Sequence, residues 1–138
     1  MSLVYDSSAM LAYLQGEEGG DMVRDLLEDA DVPHFAHAVN LCEVHYDFLR
    51  RAPDLWAQAA LDELRLQGIV ERTDMDQEFR RSIAFLITDA RTEGGRLALG
   101  DAFGLALARR LDADFVTADR HELEPLAEKG IARITFIR

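Results

Sequence analysis

The sequence contains few residues that could cross-link it or place it in a membrane. Its single cysteine, Cys42, excludes an internal disulfide and is typical of a reducing cytoplasm. We expect Cys42 to be a small buried apolar residue. No apolar run approaches the roughly 20 residues that span a bilayer. No secretory hydrophobic region opens the chain either, because Asp6 interrupts the only apolar start. These absences predict a soluble cytoplasmic domain.

Lysine is almost absent as well. Of the 15 cationic residues, 14 are arginines and only Lys129 is a lysine. An arginine bias can follow from genome composition or from a need for bidentate phosphate contacts, and both explanations stay open. The formal net charge of -11 argues against a nucleic-acid-binding surface, unless the acidic residues are concentrated in one place.

Patterns typical of zinc sites and of nucleophilic triads are also missing. No two histidines form an H-x-x-x-H pair with an intervening glutamate, and no Ser–His or Cys–His arrangement is visible. We expect structural or surface roles for all four histidines: His34, His37, His45 and His121.

The sequence does contain a regular alternation of strand and helix patterns. Its 138 residues, 49% hydrophobic, suit one domain over residues 1–138. Apolar runs predict strands at 2–6, 31–36, 69–73, 113–120 and 131–138. Helical periodicity predicts helices at 8–14, 20–30, 38–51, 55–67 (with Asp54 as N-cap), 76–94, 99–111 and 121–130. This alternation predicts a three-layer α/β/α fold with a mostly parallel central sheet of about five strands.

Two of the predicted strands end in an aspartate. Asp6 follows "LVY" and Asp119 follows "FVTA", so both side chains are expected at the edge where parallel strands have their carboxyl ends. Asp101 lies in the first turn of its helix, where the macrodipole favours a negative charge. Glu43 lies in mid-helix, with Asn40 and Asp47 on the same face at i−3 and i+4.

Each of these acids also has a purely structural interpretation. Asp6 could cap the following helix, Asp101 could simply favour a helix start, Asp119 could open a turn, and Glu43 could be solvated. However, four acids from four segments that meet in one crevice would repel one another strongly. A hard divalent cation relieves such repulsion, and oxygen ligands without Cys or His favour Mg²⁺ or Mn²⁺.

Four segments of the chain together resemble the PIN domain, and more narrowly the VapC-type toxins of toxin–antitoxin systems. They are "VYDSSAMLAYL" around Asp6, "AVNLCEV" around Glu43, "LGDAFGLALARRL" around Asp101 and "FVTADRHE" around Asp119. The resemblance extends over essentially the whole chain. It implies a metal-dependent endoribonuclease whose acidic quartet binds one or two Mg²⁺ or Mn²⁺ ions: Asp6, Glu43, Asp101 and Asp119.

The resemblance also implies supporting residues. Ser7 or Ser8 and Thr117 match small hydroxyl positions that support the acids by hydrogen bonds, although Ser7 departs from the alanine that is common there. Glu122 lies near the Asp119 motif without an assigned ligand role. Two arginines close to the motifs in sequence, Arg96 and Arg120, are the candidate RNA phosphate contacts.

Partners are implied in the same way. VapC-type toxins usually form homodimers and are held inactive by a cognate antitoxin, whose peptide lies across the active-site groove. A basic antitoxin segment would suit a chain of net charge -11. Exposed apolar residues that could receive it include Phe48, Leu55 and Trp56, but we expect these three in the core.

Two other functions compete with the nuclease. A phosphatase with an aspartyl nucleophile, of the haloacid-dehalogenase type, also has a strand that ends in Asp. That chemistry usually requires a second Asp two residues later and a nearby lysine, whereas this chain has Ser8 at that position and only Lys129. A non-catalytic binding module would usually have lost its acids, and all four are present.

Overall fold

A five-stranded, fully parallel sheet forms the centre of the molecule, which is described over residues 1–138 by a computed structural model. The strand order is β3-β2-β1-β4-β5. The strands are β1 (Leu3–Tyr5), β2 (His34–His37), β3 (Ile69–Arg72), β4 (Asp114–Thr117) and β5 (Ile134–Phe136). The predicted parallel sheet of about five strands is confirmed.

Seven helices cover the two faces of this sheet. They are α1 (Ser7–Gln15), α2 (Gly20–Leu27), α3 (Ala38–Leu49), α4 (Asp54–Leu66), α5 (Gln77–Thr92), α6 (Leu99–Arg110) and α7 (Arg120–Glu128). One buried cluster joins the sheet to α1–α4, and a second joins it to α5–α7. The predicted three-layer α/β/α arrangement is thereby confirmed. None of the seven helices combines the length and apolarity that crossing a bilayer requires.

Strand β1 shows why the core forms two clusters. Successive side chains of a strand point to opposite faces. Leu3 and Tyr5 accordingly pack with α1–α4, whereas Val4 packs with α5–α7. All three side chains are buried. A continuous apolar run is therefore what a central strand covered on both faces requires.

The register of β1 places the first acid. Val4 pairs with Phe115 and Tyr5 with Val116 across the parallel β1–β4 ladder. The backbone N–H of Asp6 then donates to the carbonyl of Val116 at 3.0 Å. The carboxyl ends of β1 and β4, and the residues that follow them, consequently lie side by side at one edge of the sheet.

Helix α6 is the most deeply buried helix, and it approaches the sheet closely at Gly104. All residues from Ala102 to Ala108 are buried. A Cβ added at Gly104 would lie 2.4 Å from Cε1 of Phe115 and 3.1 Å from Oδ1 of Asn40. Glycine at this position therefore lets the helix backbone pack directly on an aromatic side chain of β4.

Several sequence-based expectations are wrong in detail. Strand β2 begins at His34 rather than at residue 31. Helix α4 is capped by Pro53, with Asp54 inside its first turn, so the predicted Asp54 N-cap is wrong. The carboxylate of Asp54 instead accepts hydrogen bonds from His45 and Gln58, at 2.7 and 2.6 Å.

Some residues of α3 and α4 that were predicted to lie in the core are exposed on the outer surface of these helices. Cys42 is exposed rather than buried. Leu55 and Trp56 are 75% and 64% exposed, so the core roles expected for them are wrong, while Phe48 is half-buried against the α1–α4 cluster. The side chains of Cys42, Leu55 and Trp56 thus lie on helix faces that no other element of the chain covers.

Two buried histidines hold loops in place. His34 accepts a hydrogen bond from the Tyr5 hydroxyl at 3.0 Å and donates to the carbonyl of Asp29 at 2.9 Å. His37 caps α3 by accepting from the N–H of Val39, and it donates to a carbonyl in the loop after β3. Both contacts agree with the structural roles expected for these histidines.

Candidate metal centre

The carboxylate of Asp6 lies at the carboxyl end of β1, and its side chain is fixed on both oxygens. Oδ1 accepts from the Ser8 hydroxyl at 2.7 Å and from the N–H of Ala9 at 2.9 Å. Oδ2 accepts from the Thr117 hydroxyl on β4. The residue is only 1% exposed. Asp6 is thus a helix cap, and the same contacts orient it at the sheet edge, so its two interpretations are compatible.

Hydroxyl groups link α1 to the end of β4 around this carboxylate. Ser8 Oγ accepts from the N–H of Ala118 at 3.0 Å. Thr117 Oγ1 accepts from the N–H of Asp119 at 3.0 Å. Ser8 and Thr117 therefore occupy the supporting positions by geometry, whereas the Ser7 side chain makes no such hydrogen bond.

Three further carboxylates form a tight group at the same edge. Oxygens of Asp101, Asp119 and Glu122 lie within 4.8 Å of one another. Asp101 comes from the first turn of α6, and Asp119 caps α7 by accepting from the N–H of Glu122 at 3.2 Å. The helix starts bring these acids together, and Glu122 joins them although its role was left open by the sequence.

Glu43 reaches the group from α3 by lying against the start of α6. A Cβ added at Gly100 would lie 2.6 Å from both of its carboxylate oxygens. Asn40, which is fully buried, donates to Glu43 Oε1 and to the carbonyl of Gly100, each at 3.0 Å. Asn40 therefore positions Glu43 and ties α3 to α6 one residue before Asp101.

Burial and charge raise the pKa of Asp6. Removal from water raises it to about 6, and the negative charge of Glu43 acts in the same direction. The hydrogen bonds that Asp6 accepts lower its pKa only in part. The carboxylate is thus held in a site that disfavours its ionised form.

Asp101 is perturbed more strongly. Burial raises its pKa to about 8, and four neighbouring negative charges add to the effect: Asp6, Asp119, Glu122 and Glu43. The other three members of the predicted quartet, together with Glu122, therefore lie close enough to Asp101 to repel it. The crevice concentrates uncompensated negative charge.

This donor set fits a hard divalent cation. All the converging side chains offer carboxylate oxygens, and neither cysteine nor histidine joins the group. A divalent cation would relieve the repulsion that adds to the effect of burial on the pKa of Asp101. The residues present therefore match the chemistry of Mg²⁺ or Mn²⁺, and their role as ligands remains a prediction.

The two arginines chosen from sequence proximity differ in their surroundings. Arg120 pairs with Glu124 at 3.0 Å and lies over the ring of Phe136. Arg96 lines a cleft of about 570 Å³ together with Glu122. Arg96 is thus free to face a ligand beside the acids, whereas Arg120 is engaged in contacts within the fold.

Sequence reasoning did not assign a role to Asn40. Its position three residues before Glu43 is a detectable signal, because side chains at i and i+3 are neighbours on a helix. The contact that gives it a role, however, is with the backbone of Gly100, 60 residues away. Only the fold brings that partner close.

The Thr117 hydroxyl provides a test of how Asp6 is supported. Thr117→Val keeps the shape but leaves Asp6 Oδ2 and the Asp119 N–H without their partner. We expect a loss of about 1–3 kcal/mol in unfolding free energy and about 10-fold weaker Mn²⁺ binding, measured by denaturation and titration calorimetry. Ser7→Ala is the matched control, and equal losses in both variants would contradict the assignment.

Comparison with proteins of known structure gives the same fold. VapBC2 from Rickettsia felis, bound to a DNA fragment from its promoter, aligns with a TM-score of 0.76 at 15% identity, over 99% of this chain and 98% of that chain. VapC20 from Mycobacterium tuberculosis, described as a sarcin–ricin loop cleaving toxin, aligns with a TM-score of 0.70 at 16% identity, over 90% and 95%. At these identities the likeness concerns the fold.

The alignment with a third structure covers this chain and the matched chain almost completely. VapBC-5 from Mycobacterium tuberculosis, a member of the VapBC family of toxin–antitoxin systems, aligns with a TM-score of 0.65 at 21% identity, over 100% of this chain and 99% of that chain. No curated protein matches the sequence significantly. The family model of the PIN domain matches residues 3–129, and the chain therefore belongs to the PIN domain family.

Proposed function

We propose that residues 1–138 act as one nuclease domain, a metal-dependent endoribonuclease that hydrolyses RNA phosphodiester bonds. The observation that carries this proposal is the meeting of Asp101 on α6 with four other carboxylates, from the end of β1, from α3 and from the start of α7. Burial, with the repulsion from the neighbouring carboxylates added to it, raises the pKa of Asp101 to about 8. Carboxylates that repel one another at an open edge of the sheet disfavour the folded state, and such a group is suited to bind cations.

The acids would hold one or two Mg²⁺ or Mn²⁺ ions. Asp6, Asp101 and Asp119 are the proposed ligands, and Glu43 either ligates an ion or orients the attacking water. When bound, a divalent ion supplies the Lewis acidity that activates water and polarises a phosphate. The chain itself positions the acids: Asn40 holds Glu43, and the Ser8 and Thr117 hydroxyls hold Asp6. Arg96 remains the proposed phosphate contact beside Glu122, and a similar role for Arg120 would require it to leave Glu124.

RNA as substrate and an antitoxin as partner are proposed from the similar structures. One of these is described as a sarcin–ricin loop cleaving toxin, another as a toxin–antitoxin complex from Klebsiella pneumoniae, and a third as a member of a family of toxin–antitoxin systems. We propose that this chain is likewise a cytoplasmic toxin that forms a homodimer and is neutralised by a cognate antitoxin. The exposed Leu55 and Trp56 on α4 offer an apolar surface for such a partner.

Metal removal is the direct test of the proposed activity. Purified protein with mixed-sequence RNA is expected to produce fragments in Mn²⁺ or Mg²⁺, and fragment formation should fall to background in EDTA. Restoring the ion in excess of EDTA should restore cleavage. Fragments formed equally well in EDTA would contradict the metal requirement, and intact RNA under all conditions would contradict the nuclease.

The same preparation separates the competing functions. Lys129 pairs with Glu93 and lies after α7, at the opposite end of that helix from Asp119, so no lysine lies within the acidic group. We therefore expect no release of phosphate from a phosphomonoester such as p-nitrophenyl phosphate. Phosphate release without RNA cleavage would favour the phosphatase, and neither activity would favour a binding module.

A further inference from the structure

A second surface feature lies beside the acidic centre and has the opposite charge. A cavity of about 540 Å³ opens between α1 and the end of α3. Three arginines line it: Arg50, Arg51 and Arg138. Two of them follow α3 directly, and the third is residue 138. The fold brings these three arginines together, although the third is remote from the other two in sequence.

Positively charged side chains outnumber negatively charged ones in this cavity. Arg50 and Arg51 both pair with the single carboxylate of Asp47, while Arg138 lies 3.8 Å from Glu17. Three guanidinium groups thus face two carboxylates, in a chain of net charge -11. In three other surface cavities of 540 to 730 Å³, acidic residues equal or outnumber Lys and Arg. Positive charge is therefore concentrated here.

The cavity adjoins the acidic centre through two residues. Ser8 lines it and donates to Asp6 at 2.7 Å. Asp47, which holds the two guanidinium groups, lies one helical turn after Glu43 on the same face of α3. An extended polymer bound across the acids and along α3 would reach these arginines next.

Most of the guanidinium donors remain available to a ligand. An arginine has five N–H donors, and the Arg50 side chain uses only Nη2, toward Asp47. The side chains of Arg50 and Arg51 are 67% and 55% exposed. Paired guanidinium forks match the geometry of phosphate oxygens better than ammonium groups do.

We propose that this cavity binds the backbone phosphate of a nucleotide that flanks the scissile bond of a single-stranded RNA. The proposal rests on the proposed nuclease function and gives its substrate a second anchoring point. An acidic protein segment would satisfy the arginines too, but it would carry further carboxylates against the acids around Asp101. A polynucleotide that passes the centre instead offers phosphates to both the bound cation and the arginines.

Binding to a labelled mixed-sequence single-stranded RNA tests the proposal in an Asp101→Asn background, where cleavage is blocked. We expect Arg50→Gln with Arg51→Gln to weaken binding at least about 10-fold. The slope of log K against log[salt] should fall in magnitude by about 0.7 for one lost phosphate contact. Arg138→Gln should weaken binding in the same direction.

Arg24→Gln with Arg65→Gln is the matched control. Both residues are exposed, and each pairs with an aspartate three positions earlier, outside this cavity. The control has the same charge change, so it should leave affinity within about 2-fold. Equal weakening in both double variants would overturn the subsite and leave only a general effect of net charge. Binding of labelled polyglutamate by a chain that does not bind RNA would also overturn it, in favour of an acidic partner.

Cleavage assays separate this proposal from the nuclease itself. With Asp101 intact, the Arg50→Gln/Arg51→Gln protein should show a raised KM and an unchanged Mn²⁺-induced rise in Tm. Unchanged RNA affinity with normal cleavage would overturn the subsite while the nuclease stands. If the unmodified chain binds RNA through these arginines but never cleaves it, the subsite stands and the nuclease fails.

Discussion

Replacing Asp101 with asparagine is expected to stabilise the metal-free protein and to abolish RNA cleavage. The pKa of Asp101 in the folded chain is about 8, above its ordinary value of 3.8. Between those pH values the folded chain holds a proton that the unfolded chain releases. The metal-free protein therefore loses stability as pH rises from about 4 to about 8. Asp101→Asn removes this loss, and we expect a gain of about 1–3 kcal/mol at pH 8.

The same substitution should have the opposite effect once the cation is present. Without the Asp101 carboxylate, the Mn²⁺-induced rise in Tm should largely disappear, and cleavage should fall about 100-fold or more. Thermal unfolding at pH 5 and pH 8, with and without Mn²⁺, measures both effects. Asp62→Asn, at an exposed residue paired with Arg65, is the control. Unchanged cleavage by Asp101→Asn, or lower metal-free stability at pH 8, would contradict the assignment of the centre.

A second large effect is expected at Gly104. In a solvated helix, Gly→Ala stabilises by about 1 kcal/mol. Here the added Cβ would lie 2.4 Å from the ring of Phe115, and that ring is fully buried. Overpacking of this kind costs about 1–3 kcal/mol. After the helix gain of about 1 kcal/mol is subtracted, we expect a net loss of about 1 kcal/mol, and at most about 2 kcal/mol, in unfolding free energy, measured by urea denaturation.

Removing the obstructing ring tests that cause. Phe115→Leu alone should destabilise the protein, because it leaves a cavity in the core. In the Gly104→Ala background, Phe115→Leu should cost about 1 kcal/mol less, because the two changes compensate. If the losses of the two single variants simply add in the double variant, the effect of Gly104→Ala does not come from the Phe115 ring. A Gly104→Ala protein that is more stable than the unmodified chain would show that α6 moves away from the sheet at little cost.

The architecture and the meeting of the acids follow from local patterns, because parallel strands place their carboxyl ends at one edge. Asp6 directly follows β1, Asp119 lies two residues after β4, and Asp101 lies in the first turn of α6. All three positions therefore lie at the edge of the sheet where the parallel strands have their carboxyl ends. Their predicted roles as ligands depend on a bound ion and stay predictions.

Element ends and surface exposure were harder to predict. The β2 error arose because Val32 extends the apolar residues of the strand toward the N-terminus, whereas the strand pairs only from His34 onward. Proline at position 53 served as the α4 cap through its backbone, so the polar residue after it entered the helix. Cys42 and Trp56 lie on apolar helix faces, and such a pattern cannot show whether another element covers the face.

Charged contacts are the hardest to predict from sequence, because they depend on distances between remote parts of the chain. Arg96 and Arg120 were chosen for their proximity in sequence to the acids, and their roles as phosphate contacts stay predictions. The arginine cavity combines Arg50, Arg51 and Arg138 with the start of α1, a set that proximity in sequence does not reveal. Glu122 could have been included from its position three residues after Asp119, the spacing of a helix cap and its N3 residue.

The hydrogen bond from Thr117 to Asp6 joins residues 111 positions apart, and this separation has a consequence for translation. A nascent chain that has left the ribosome only as far as α5 already contains β1, β2 and β3, yet it lacks Asp101, Asp119 and the strand that supports Asp6. Domains generally fold as units, so the acidic centre cannot form until α6 and the start of α7 have emerged. A partly synthesised chain would thus contain only Asp6 and Glu43 of these acids and could not assemble the group around Asp101.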